Sequence, residues 1–156
     1  MKNLRNIDVS KVTGVPQRSL RHYDHASYLV PTEKNPGKGK TSLYTPIDAV
    51  IAKILYILGQ RGYALSRFAT LHKKLKAEGF LGALDPYSRT DNRMYALVIF
   101  DDLTRIEIRP YRVKESQNTG ARQFLGKPLY EGDYDNLIVI NLNRIFEQIR
   151  KGIAKL

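Results

Sequence analysis

Apolar positions along this chain repeat first at helical spacing and then at strand spacing, and the change divides it. Ile47, Val50, Ile51, Ile54, Leu55 and Leu58 recur every three or four residues and form one stripe. Just ahead of them, Thr45-Pro46-Ile47-Asp48 offers a hydroxyl at the N-cap, proline at the first helical position and an acid at the third. That is a helix start with a mechanism, since the hydroxyl and the acid satisfy amides the first turn leaves open. Gly62 predicts its end, and a second stripe of Leu65, Phe68, Leu71 and Leu75 stops at Gly79. Nearer the start, residues 8–13 allow a short helix and Gly14 a tight turn. Pro16 suits the first position of another helix, reaching about Ala26 through Leu20 and Tyr23. Residues 31–43, broken by Pro36, Gly37 and Gly39, read as a short hairpin or loop.

Beyond Gly79 the rhythm changes. Gly79, Gly82, Asp85, Pro86 and Asn92 mark a linker, set at residues 81–92. Residues 94–100 are a continuous apolar run suited to a buried strand, and Asp101-Asp102 a turn. Residues 104–109 then alternate, with Ile106 and Ile108 opposite Arg105, Glu107 and Arg109. Residues 112–136 look irregular, Leu137-Ile138-Val139-Ile140 is a third strand, and Leu142, Ile145, Phe146, Ile149 and Ile153 form the apolar face of a closing helix. The expected class is α+β. A mostly helical domain with a small β wing occupies residues 1–80, and a domain of three strands and a helix occupies residues 93–156. No repeat or low-complexity tract interrupts this order.

Charge sharpens the division. Residues 1–80 hold 14 Lys+Arg against 5 Asp+Glu, a net +9, while residues 81–156 hold 12 against 10, a net +2. A basic half joined to a nearly neutral one fits a polyanion-binding module attached to something with another task. With no cysteine in the 156 residues, disulfides and thiolate chemistry are excluded. No stretch reaches the ~18 apolar residues of a membrane span, and the first residues lack the apolar segment of a signal peptide. The expectation is a cytoplasmic, nucleoid-associated protein.

Two short helices joined by a glycine turn and followed by a basic hairpin match what reading a DNA groove requires. Near the start of the second helix stand Gln17 and Arg18, both able to make bidentate contacts with base edges. Arg18, Arg21 and His22 lie at i, i+3 and i+4 and share one face, with Leu20 pointing away to anchor the helix. Lys34, Lys38 and Lys40 can reach flanking phosphates from the loop.

The run Val9-Ser10-Lys11-Val12-Thr13-Gly14-Val15-Pro16-Gln17-Arg18-Ser19-Leu20-Arg21-His22-Tyr23-Asp24 resembles the DNA-binding domain of MerR-type regulators. Tyr28-Leu29-Val30-Pro31, Tyr44-Thr45-Pro46-Ile47-Asp48 and Leu58-Gly59-Gln60-Arg61-Gly62-Tyr63-Ala64-Leu65 continue the likeness, which covers roughly residues 5–78. The resemblance implies that Arg21 and Tyr23 contact the DNA backbone or base edges, with Gln17, Arg18 and Ser19 near base edges or phosphates. Tyr44, which closes the wing, joins His22 and the three lysines as a candidate DNA contact. Two features depart from the family. Lys40-Thr41-Ser42 stands where Gly-Tyr-Arg is usual. Gly79, Gly82 and Pro86 also break the long helix by which MerR-type regulators dimerise as an antiparallel coiled coil.

Other chemistry fits less well. Gly39-Lys40-Thr41 ends like a phosphate-cradling loop, but the glycine needed five residues earlier is Lys34. His22 and His25 have a metal-binding spacing without a third ligand nearby. Asp101, Asp102, Glu131, Asp133 and Asp135 read as turn formers, and no activated nucleophile stands out. The sequence therefore predicts a non-enzymatic regulator, without cofactor or metal, that binds double-stranded DNA as a homodimer through residues 93–156. The apolar C-terminal surface is alternatively a small-molecule effector pocket. Rival functions are a phage-type excisionase or an architectural or packaging DNA-binding protein, and a protein-interaction adaptor using the C-terminal sheet.

Overall fold

The computed structural model describes residues 3–33, 42–77, 94–100, 106–112, 123–124 and 137–156. It divides into two units, one made of Met1–Arg89 with Ile145–Leu156, the other of Thr90–Arg144. The expected linker at residues 81–92 lies outside the described residues.

In the first unit, β1 (Leu4–Arg5) leads into α1 (Asn6–Thr13) and pairs antiparallel with β2 (Leu43–Tyr44). The Asp8 carboxylate starts α1 by accepting the Arg5 backbone N–H at 3.0 Å and its Nε at 3.1 Å. Burial pushes this carboxyl up, but the Arg5 hydrogen bonds and the charges of Arg5 and Lys11 outweigh it and leave it below its ordinary value. After a turn, α2 (Gln17–His25) follows, then α3 (Pro46–Gln60), a 3-10 turn (Leu65–Phe68) and α4 (Leu71–Ala77).

α3 is the centre of this unit. Ala49, Val50, Ile51, Ala52, Ile54, Leu55 and Leu58 are all fully buried, a wider apolar surface than the single stripe read from the sequence. The segment expected as one helix from Leu65 onward is two pieces. Arg67 and Ala69 donate to carbonyls three residues back, Ala64 and Ser66, and this tighter winding brings Phe68 into the core before α4 begins.

The second unit is an antiparallel sheet in the order β5-β4-β3-β6, from β3 (Met94–Phe100), β4 (Ile106–Arg112), β5 (Gln123–Phe124) and β6 (Leu137–Asn141). Leu97 pairs with Ile108 on one side and Ile140 on the other, which fixes the register of the central strand. Ala96, Leu97, Val98 and Ile99 are all buried, so both faces of β3 are covered, as its unbroken apolar run predicts. On edge strand β6, Ile138 and Ile140 are buried while Val139 between them is 36% exposed. The pair Gln123–Phe124 adds a fourth strand within a segment the sequence leaves irregular.

β6 runs straight into α5 (Leu142–Ile153), where the Asn141 side chain accepts the Arg144 N–H at 3.2 Å. The α+β class holds, with a helix-turn-helix at the N-terminal end and a small sheet beyond it. The closing helix differs from expectation. Its residues from Ile145 onward belong with the N-terminal helices, not with the strands that precede them. The reason is its contact with α1, described below.

Candidate nucleic-acid interface

The turn between α1 and α2 is built from bonds the local sequence can supply. Thr13 ends α1 by donating its hydroxyl to Val9 O at 2.6 Å and accepting Val15 N–H at 3.1 Å. Gly14 then takes φ +70°, a left-handed conformation that a side chain would strain. Val15 is fully buried and pins the turn. Pro16 sits one place earlier than expected, at the N-cap of α2, where its fixed φ of −57° suits the entry and its carbonyl accepts Leu20 N–H.

α2 buries only Leu20 and Tyr23. Gln17, Arg18, Arg21, His22 and His25 are exposed, and Ser19 is half-buried. The expected face of Arg18, Arg21 and His22 is thus open, and His25 extends it by three residues. His22 stacks its ring edge-on with Tyr28 at 6.0 Å, which orients it on the surface. The one acid of α2, Asp24, is half-buried and near enough to raise the Tyr44 phenol. The exposed face of α2 is therefore cationic and rich in donors.

Two tyrosines read as DNA contacts take other places. Tyr44 is 1% exposed: its strand pairs with Leu4, which turns the ring into the core. Burial and the charge of Asp24 push its hydroxyl up to about 12, against hydrogen bonds from Asn6 and Ser42 that lower it. Tyr23 is 3% exposed, and burial, with Tyr56 nearby, raises its phenol too. Both are neutral anchors beneath the surface. Lys34, Lys38 and Lys40 lie outside the described residues. The chain at either side of them is described: Glu33 and Leu43 exchange backbone hydrogen bonds of 3.3 and 3.0 Å.

Two side chains the sequence did not single out brace the turn that leads into α2, and a third, read there only as a cap, ties the scaffold beneath it. Lys53, on α3, donates to Thr13 O at 2.8 Å. Gln148, on α5, donates to the same oxygen at 2.9 Å and to Val12 O at 3.3 Å. Those carbonyls are among the ones a helix end leaves without intrahelical partners. Next to Gln148, Gly152 lies so close to α1 that a Cβ there would stand 2.8 Å from Val12 Cβ and 2.9 Å from its Cα. The helix can only approach this far with glycine at that position.

The third is Asp48, which the sequence identified only as a cap. Its Oδ2 accepts Thr45 N–H at 2.8 Å, Thr45 Oγ1 at 2.9 Å and Thr32 Oγ1 at 3.1 Å. Its Oδ1 meets Lys76 Nζ at 2.7 Å and lies 3.7 Å from His72 Nε2, beyond hydrogen-bond length. Burial drives this wholly buried carboxyl up. Its neighbours His72 and Lys76 and the Thr45 amide overcome that and hold it at about 2. One carboxylate thus ties the start of α3 to α4 and to Thr32, beside the basic loop.

Among the described residues no three His, Asp or Glu side chains gather to hold a metal, and no helix is long and apolar enough to cross a membrane. Residues 7–75 match the model of a family described as MerR HTH family regulatory protein. The match begins one residue into α1 and ends within α4, so it takes in the turn, α2 and the scaffold that carries them. No curated protein matches the chain.

Proposed function

We propose, from the match of residues 7–75 to the MerR HTH family model, that this protein is a DNA-binding transcription regulator that reads a specific duplex sequence as a homodimer. The observation that carries the reading is α2 itself, with Gln17, Arg18, Arg21 and His22 outward and only Leu20 and Tyr23 buried. Seated in a major groove, such a helix presents bidentate donors from its first turn to base edges. Arg21, His22 and Ser19 serve phosphates or neighbouring bases. Lys34, Lys38 and Lys40, in the chain between Glu33 and Leu43, neutralise flanking phosphates.

The sheet supports the dimer. β6 is an edge strand of five residues with Val139 exposed on it, and such an edge invites pairing with a second copy. A two-fold dimer would set its recognition helices about 34 Å apart, or a multiple of that, and favour a palindromic or repeated site. This is a binding protein rather than an enzyme, and it works in the cytoplasm on the nucleoid.

Selection of bound duplexes from a random pool, with the mass of the complex measured, tests the reading. The expected result is a symmetric motif bound by two chains. Arg18→Ala then costs about 1–3 kcal/mol of binding and relaxes preference at one base pair, whereas Lys38→Ala weakens all duplexes alike. A pool that yields no enriched sequence, or equal losses for both variants on cognate and random duplexes, overturns it.

A further inference from the structure

α5 presents two sides of opposite character. Leu142, Ile145, Phe146, Ile149 and Ile153 are buried, and Gly152 rides against Val12. Gln148 stands at the border of that apolar arc. Its amide reaches Val12 O and Thr13 O and comes within 4.0 Å of where a Cβ on Gly14 would be. At about 100° per residue, Arg144 and Lys151 fall within about 60° of Gln148, on the exposed side, and Lys155 follows in the turn just past the end of the helix. The edge of α5 that borders the turn into α2 is therefore a row of Arg144, Gln148, Lys151 and Lys155, with all three cations exposed. The one acid among the exposed residues of the helix, Glu147, pairs with Lys151 at 2.7 Å. With 66% and 56% of these two side chains accessible, water already competes for the pair and a phosphate can replace the carboxylate at little cost. Arg150 points about 160° away from Gln148 and does not belong to this edge.

We propose that this edge of α5 is a second DNA-contacting surface, in which Arg144, Lys151 and Lys155 bind backbone phosphates beside the groove occupied by α2. The inference rests on α2 being the recognition helix, and adds to it a contact from the far end of the chain. Gln148 fixes the row against the turn from which α2 sets out, so the row and α2 are braced to the same few residues. Phosphate contacts of this kind hold a protein in register without reading sequence. They add to the affinity for any duplex and to its dependence on salt.

The experiment compares the full chain with the triple variant Arg144→Gln, Lys151→Gln, Lys155→Gln and with Arg150→Gln. Affinity for a mixed-sequence duplex is measured over a series of salt concentrations. Each lost phosphate contact lowers the slope of log affinity against log salt by about 0.9, so the triple variant falls short of the parent by up to about 2.7. Arg150→Gln, which changes the same charge type off the edge, keeps the parent slope. A triple variant with the parent slope, in a protein whose Arg18→Ala variant still loses affinity, overturns this proposal and leaves the recognition helix standing. A parent chain with no salt-dependent duplex binding overturns both.

Discussion

α2 and the part of α5 from Ile145 onward lie in the same unit, and both helices are amphipathic, yet they spend their surfaces in opposite ways. α2 buries two side chains out of nine and leaves a cationic face to solvent. α5 buries five apolar side chains and is locked to α1 by a glutamine and a glycine. A helix that keeps its outer surface clear of the fold has its orientation set by others. Here the end of α1 does that work, clamped by Lys53 from α3 and Gln148 from α5. Presenting an open cationic face and bracing it are thus divided between elements far apart in sequence.

The strongest way to break this division is Ile149→Ala. Ile149 is fully buried on α5, and the truncation costs about 2–5 kcal/mol of unfolding free energy in a denaturant titration. A loss below about 0.5 kcal/mol, the range of ordinary surface substitutions, would mean that α5 is not part of the core that carries α2.

The acid limb of stability sharpens the holding side. The Asp48 carboxyl is held at about 2 against an ordinary 3.8. The folded state thus binds this proton less readily than the unfolded chain does. The stabilisation is complete above about pH 4 and drains as pH falls toward about 2, amounting to about 2 kcal/mol. Unfolding free energy measured down this range should drop, and Asp48→Asn should flatten that part of the profile. An acid limb in Asp48→Asn that matches the parent's would mean that this carboxylate does not stabilise the tie between α3 and α4.

The smallest effect belongs to α2. Arg21→Ala, on the exposed face, changes unfolding free energy by less than about 0.5 kcal/mol. A larger loss would show that the reading face also supports the fold, and the contrast with α5 would dissolve.

What the sequence made legible follows the same line. The α2 face was readable because Arg18, Leu20, Arg21 and His22 are neighbours whose spacing alone fixes which side each takes. The start of α3 was readable because Thr45, Pro46 and Asp48 form a self-contained cap, and it appears as expected, with Asp48 N–H donating to Thr45 Oγ1 at 3.2 Å. Tyr44 was read as a candidate DNA contact, and its burial was not legible because it follows from pairing with Leu4, forty residues away. The role of α5 was illegible for a stronger form of that reason. The bond from Gln148 to Thr13 O joins residues 135 positions apart, and nothing near Gln148 distinguishes it from a solvated polar residue. Gly152 was the one available signal. A glycine inside an otherwise good helix weakens it, and often marks a place where another backbone comes close.

Because the helix-turn-helix unit is assembled from Met1–Arg89 and Ile145–Leu156, its two parts leave the ribosome at different times. The nascent chain can form α1, α2 and α3 early, but Val12 and the carbonyls of α1 wait for α5, which is synthesised after every strand of the sheet. Closing so long a loop is slow relative to local helix formation. A message cut short anywhere before α5 would yield a recognition helix on an unfinished support. Translation through the sheet is thereby made a condition for a fully braced α2.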